Sequence, residues 1–176
     1  MIRIGDKNFE EFLGESEILS CVRTLAKRID DDYTNKELLI LGILNGAFLF
    51  VADLTRHMTL DPEISFVKFA SYEGTSSSGK VNDLIGLHED LRGKHVLVVE
   101  DIVDSGRTLL HIQELLKDKG TASIEVATLF FKPDAYQQKI PLRYIGAEIP
   151  NHFVVGYGMD YMGKGRNLTG LYQLRS

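Results

Sequence analysis

The sequence predicts an α/β fold, a doubly wound and mostly parallel sheet flanked by helices. Three observations predict it. Apolar runs at 38–43, 96–99 and 124–131 are short, rich in β-branched residues and unalternating, as strands buried on both faces must be. Helical periodicity follows the first two runs, so strand and helix alternate along the chain. Each of those transitions passes through a turn of small and polar residues, giving two strand–turn–helix units. At 176 residues the chain suits one domain, 1–176, with room for a proper core. Short strands near both ends, about 1–15 and 150–176, are expected to form a small hood over the carboxyl edge of the sheet.

Taken in order, residues 1–13 are expected to form a short strand and a turn of helix. Ile18, Val22, Leu25, Ala26 and Ile29 recur at helical spacing, which predicts a helix over 16–30 with Ser16 near its N-cap. The strand at 38–43 ends in Leu44-Asn45-Gly46-Ala47, and Phe48, Leu49, Val51, Ala52 and Leu54 continue as a helix. Residues 64–69 read as a strand. Residues 71–83 are polar and aperiodic, either a surface loop or a lid that closes over substrate. Gly74, Gly79 and Lys80 nearly match a P-loop, but Val81 replaces the Mg²⁺-binding hydroxyl and no helix pattern follows.

The central unit is Val96-Leu97-Val98-Val99-Glu100-Asp101-Ile102-Val103-Asp104-Ser105-Gly106-Arg107-Thr108-Leu109. A strand over 96–99 leads to two carboxylates at its end, then a short turn, then a helix whose face carries Leu109, Ile112, Leu115 and Leu116. Lys117 and Lys119 suit the end of that helix, with Gly120 as its cap. A helix N-terminus offers unpaired N–H groups and partial positive charge, so a phosphate monoester fits against Ser105, Gly106, Arg107 and Thr108. Glu100 and Asp101 then face a polyhydroxylated sugar or a hard cation. The bland alternative is a surface turn whose acids and hydroxyls cap the helix.

Farther on, 144–149, 153–155 and 171–174 read as short strands. Gly156, Gly158, Gly163 and Gly165 surround Asp160, Lys164 and Arg166.

Lys+Arg 20 against Asp+Glu 25 gives a net charge of −5, which argues against nucleic-acid binding as the main function. No apolar run is long enough to span a bilayer and no signal core opens the chain. One cysteine, Cys21, excludes an internal disulfide and is expected to pack on a helix face. The five histidines, His57, His88, His95, His111 and His152, show no metal spacing and read as surface or packing residues. A cytoplasmic protein is expected.

The central segment resembles the phosphoribosyl-pyrophosphate (PRPP) motif of type I phosphoribosyltransferases. The flanking chain resembles the hypoxanthine-guanine branch of that family. Four stretches carry the likeness, residues 44–47, Ser71-Tyr72 with 76–79, residues 98–106, and residues 153–160, with Lys132 and Arg166 at matching places.

The resemblance implies the type I phosphoribosyltransferase fold. It also implies Mg²⁺-dependent transfer of 5-phosphoribosyl from PRPP to a 6-oxopurine base, giving IMP or GMP and pyrophosphate. Asp104 would be the general base toward purine N7. Glu100 and Asp101 would hold the ribose hydroxyls, directly or through Mg²⁺, and Asp160 a second Mg²⁺. Lys132 would donate to the 6-oxo group, Phe153 would stack on the base, and the Val154 backbone would reach its edge. Asn45, Gly46 and Arg166 would bind pyrophosphate, and Ser71 and Tyr72 belong to the lid. A homodimer or homotetramer is implied, with no nucleic acid and no membrane as partner.

Two departures stand out. Asn45 occupies a position where some members carry Lys, and Gly165 one where an aromatic often precedes the arginine. A regulator that keeps the fold and binds PRPP or nucleotide is the alternative. An enzyme for another base is a third reading, which Lys132 disfavours for adenine.

Overall fold

The computed structural model describes residues 1–69, 83–85, 87 and 89–175. The strands are β1 (Ile2–Ile4), β2 (Lys7–Leu13), β3 (Leu38–Leu44), β4 (Glu63–Phe69), β5 (Asp83–Ile85), β6 (His95–Val103), β7 (Ser123–Phe131), β8 (Tyr144–Glu148), β9 (Val154–Val155) and β10 (Leu171–Leu174). The α-helices among the described residues are α1 (Glu15–Tyr33), α2 (Phe48–His57) and α3 (Arg107–Leu116).

The main sheet has the order β5-β4-β3-β6-β7-β8. Its pairs are parallel except the β4–β5 edge, which is antiparallel. Residues alternate between its two faces, and both faces are buried. Ile40, Leu97, Val99, Ala127 and Leu129 pack with α1 and α2. Leu39, Leu41, Ile43, Val96, Val98 and Val126 pack with Leu109, Ile112 and Leu116 of α3. That two-sided burial is why β3 and β6 lack polar alternation.

From β3 the chain returns through α2 to β4 on one side, while from β6 it returns through α3 to β7 on the other. The direction of winding therefore reverses between β3 and β6. A crevice opens at such a switch point, beyond the carboxyl ends of the two strands.

A second, antiparallel sheet joins the chain ends in the order β1-β2-β10-β9. Ile4, Phe9 and Val155 form its core. The turn of helix expected within residues 1–13 is instead a hairpin, β1 to β2, turned at Gly5 with φ of +60°. The two strands are short, and only Ile4 and Phe9 are buried on them, too few apolar positions to mark a period in sequence.

Other boundaries move for local reasons. Helix α1 begins one residue earlier than expected, with Gly14 at its N-cap. The Gly14 N–H donates to the Glu17 carboxylate at 2.9 Å, so Glu17 rather than Ser16 closes the helix start. Helix α3 stops at Leu116, before Lys117 and Lys119, because Asp118 and Gly120 both take positive φ. Cys21 lies on α1 against the core as a small hydrophobe. Asp83, expected in the aperiodic stretch, pairs with Phe69 as part of β5.

Candidate functional site

Strand β6 does not end at Val99. It continues through Glu100 and Asp101 to Val103, because Glu100, Ile102 and Val103 remain in register with Thr128, Phe130 and Phe131 of β7. The two acids therefore sit inside the ladder rather than after it. Glu100 is only 7% exposed. Burial, with the Asp101 charge next, pushes the Glu100 carboxyl well above the ordinary carboxylate range, and the Thr108 hydroxyl opposes the shift. Burial pushes Asp101 up to about 6, against the N–H groups of Asp101 and Ile102.

The turn after β6 is shaped by Gly106, which takes φ of +76° and stands at the N-cap of α3. A Cβ there would lie 2.5 Å from the Tyr136 ring and 2.8 Å from the Gln138 side chain. The Ser105 carbonyl accepts hydrogen bonds from the Gln137 N–H and from the Gln138 amide, both at 3.4 Å. The Ser105 N–H donates to the Asp104 carboxylate. Behind the turn, the Lys132 N–H donates to the Val103 carbonyl at 2.9 Å. The Lys132 side chain is 7% exposed, and burial lowers the pKa of its ammonium group, which the Asp104 charge opposes.

At the end of β3 the Leu44–Asn45 peptide bond is cis. Gly46 lies so close to the Asp101 carboxylate that a Cβ would overlap it, and Gly158 is packed as closely against the Gly46 carbonyl. Three segments far apart in sequence thus meet at Gly46. From the Gly158 segment comes Arg166, which donates to the Gly158 carbonyl at 2.7 Å and pairs with Asp160 at 2.5 Å. The second Asp160 oxygen accepts from the Gly163 N–H at 2.6 Å.

These groups line one cleft of about 590 Å³. Of the residues singled out in sequence, Asn45, Gly46, Glu100, Asp101, Asp104, Arg107, Thr108, Lys132, Phe153, Val154, Asp160 and Arg166 all line it. Ser105 and Gly106 form the turn that carries its wall. Phe153 is 46% exposed, and its ring packs against Phe9 and, edge to face, Tyr161. Ser71 and Tyr72 lie outside the described residues.

Sequence reasoning missed Phe69, Met159 and His111 in this lining. His111 is exposed and sits beside Phe69, with ring centroids 6.4 Å apart, so it belongs to the cleft wall rather than to a generic surface. The signal was available, since His111 falls one helical turn after Arg107. His95 does serve packing, edge to face with Tyr33 and bonded to Ser123 at 2.7 Å.

Among the described residues no three His, Cys, Asp or Glu side chains gather into a protein-only metal cage. Glu100 and Asp101 sit together, while Asp160 is paired with Arg166. That arrangement still suits Mg²⁺, which keeps several waters and takes one or two carboxylates plus substrate phosphates.

The family described as phosphoribosyl transferase domain matches residues 9–162. The hypoxanthine-guanine phosphoribosyltransferase of Streptococcus pneumoniae is 39% identical over 157 residues, 89% of this chain and 87% of that protein. The hypoxanthine phosphoribosyltransferase of Escherichia coli is 39% identical over 162 residues, 90% of this chain and 91% of that one. The crystal structure of a hypoxanthine phosphoribosyltransferase from Staphylococcus aureus superposes with a TM-score of 0.88 at 37% identity, covering 94% of this chain and 91% of that chain.

Proposed function

The chain belongs to the phosphoribosyl transferase family, and from that premise we propose that it is a purine-salvage enzyme. Its reaction is Mg²⁺-dependent transfer of 5-phosphoribosyl from PRPP to hypoxanthine or guanine, yielding IMP or GMP and pyrophosphate. One observation carries this reading beyond family membership. The helix-start turn at 104–108, the acids Glu100 and Asp101, and the Asn45–Gly46 turn with Arg166 line one cleft, as a substrate with a phosphate at one end and a pyrophosphate at the other requires.

In the reaction the bond from ribose C1 to the pyrophosphate oxygen breaks, the bond from C1 to purine N9 forms, and the N7 proton leaves the base. The amides of residues 105–108 hold the 5′-phosphate. Glu100 and Asp101 orient the ribose hydroxyls while positive charge grows at C1. Asp104 accepts the N7 proton. Lys132 donates to the 6-oxo group, and a 6-amino purine would set donor against donor. Phe153 stacks on the base. Arg166 leaves Asp160 to clamp pyrophosphate, assisted by the Asn45–Gly46 turn. Mg²⁺, held through Glu100, Asp101 and Asp160, would neutralise the departing pyrophosphate. A homodimer or homotetramer in the cytoplasm is part of the same proposal; no described helix is long and apolar enough to cross a membrane.

Steady-state rates with hypoxanthine, guanine, xanthine and adenine at fixed PRPP and Mg²⁺, for the wild type and Asp104→Asn, test this. Turnover of hypoxanthine or guanine well above adenine is expected, with kcat lowered on the order of 10²-fold in Asp104→Asn. Adenine as the preferred base would overturn the substrate reading. A near-wild-type rate in Asp104→Asn would remove that residue from proton transfer.

A further inference from the structure

Outside the groups already given roles, one polar link joins two walls of the cleft from behind. The Tyr157 hydroxyl donates to an Asp53 carboxylate oxygen at 2.7 Å. Asp53 lies on α2, the helix that starts directly after the Asn45–Gly46–Ala47 turn. Tyr157 is 3% exposed and takes φ of +46°, between Gly156 and Gly158, both of positive φ. A non-glycine residue in that region is held there by its surroundings. Burial raises the pKa of the phenol, so Tyr157 remains a donor.

The backbone continues the connection on both sides. The Tyr157 N–H donates to the Leu168 carbonyl at 2.9 Å, and the Gly158 N–H donates to the Arg166 carbonyl at 2.9 Å. Arg166 returns a guanidinium hydrogen bond to the Gly158 carbonyl, and Gly158 sits against the Gly46 carbonyl. A chain of direct contacts therefore runs from Asp53 through Tyr157 and Gly158 to Arg166 on one side and Gly46 on the other. The other Asp53 oxygen lies 3.5 Å from the exposed Arg56 guanidinium, which leaves Tyr157 as the closer of the two partners.

We propose that Tyr157 and Asp53 are positioning residues whose hydrogen bond sets the Arg166 segment against the Asn45–Gly46 turn, and so fixes the pyrophosphate half of the cleft without touching substrate. This rests on the reading of Arg166 and the Asn45–Gly46 turn as the pyrophosphate site. Lys132 of the purine half is not among these contacts, and Phe153 lies on the same segment four residues before Tyr157. Loss of the bond is therefore expected to weigh on pyrophosphate more than on the base.

The reverse reaction, IMP with inorganic pyrophosphate and Mg²⁺, separates the two halves. Wild type, Tyr157→Phe, Asp53→Ala, Asp53→Asn and the Tyr157→Phe/Asp53→Ala double variant are compared, with thermal melting to establish folding. The KM for pyrophosphate is expected to rise about tenfold in Tyr157→Phe and Asp53→Ala, the size of one lost hydrogen bond, with the KM for IMP within about twofold. Asp53→Asn, which keeps an acceptor, stays near wild type, and the double variant is no worse than the worse single one. An unchanged pyrophosphate KM in folded Tyr157→Phe would overturn the proposal, as would equal rises in both KM values. A wild type with no pyrophosphate-dependent turnover overturns the functional reading and takes this proposal with it, whereas the first two results leave that reading intact.

Discussion

At the scale of single residues the cleft is an electrostatic compromise. Two consecutive carboxylates on β6, Glu100 buried and Asp101 half-buried, are both driven toward the protonated form, Glu100 strongly and Asp101 to about 6. A divalent cation held there, as proposed, would bind only the ionised form, so a proton and the metal would compete for Asp101. Above about pH 6 the carboxylate is free for the ion, and below it the proton must be displaced. The Mg²⁺ concentration for half-maximal activity is therefore expected to be about fourfold higher at pH 5.5 than at pH 7.5. Titrating Mg²⁺ against rate at the two pH values checks this, and an equal requirement at both would show that Asp101 does not meet the metal. Asp160 and Arg166 illustrate the same compromise, since each is paired with the other.

At the scale of elements the β6–turn–α3 unit does most of the positioning. Its apolar start and its helical end were legible in sequence, because two-sided burial removes alternation and α3 buries Leu109, Ile112 and Leu116 at helical spacing. The length of β6 was not, because a run of acids looks like the end of a strand unless the partner register on β7 is known. The second strand of the β1–β2 hairpin was missed for the opposite reason, with only two buried residues to mark the pair. Gly106 is where the unit is most vulnerable. An alanine there would bear positive φ and crowd Tyr136 and Gln138. Gly106→Ala is expected to destabilise by about 1–3 kcal/mol, a fall of roughly 2–10 °C in melting temperature, and to raise the KM for PRPP more than that for the base. Calorimetry and initial rates measure both. A variant that melts and binds PRPP like wild type would show that the turn tolerates a side chain and that its backbone is not the phosphate cradle.

At the scale of the whole molecule, the cleft is made by three distant stretches meeting where the winding of the sheet reverses. The identities of their residues were readable one by one through family likeness. The meeting itself was not, since Gly46, Asp101 and Gly158 share no local pattern and touch only in the folded chain. Phe69 completes the wall as a neighbour in space that no motif joins, while Met159 stands beside Asp160 in the chain and His111 one helical turn after Arg107. In the proposed site, residues 100–108 cradle the sugar phosphate, with acids toward the ribose and amides toward the 5′ end. A crystal structure with bound IMP tests it most directly. Phosphate oxygens are expected about 3 Å from the amide nitrogens of residues 105–108, with the ribose hydroxyls toward Glu100 and Asp101. A phosphate seated instead against the Asn45–Gly46 turn, or outside the cleft, would contradict it.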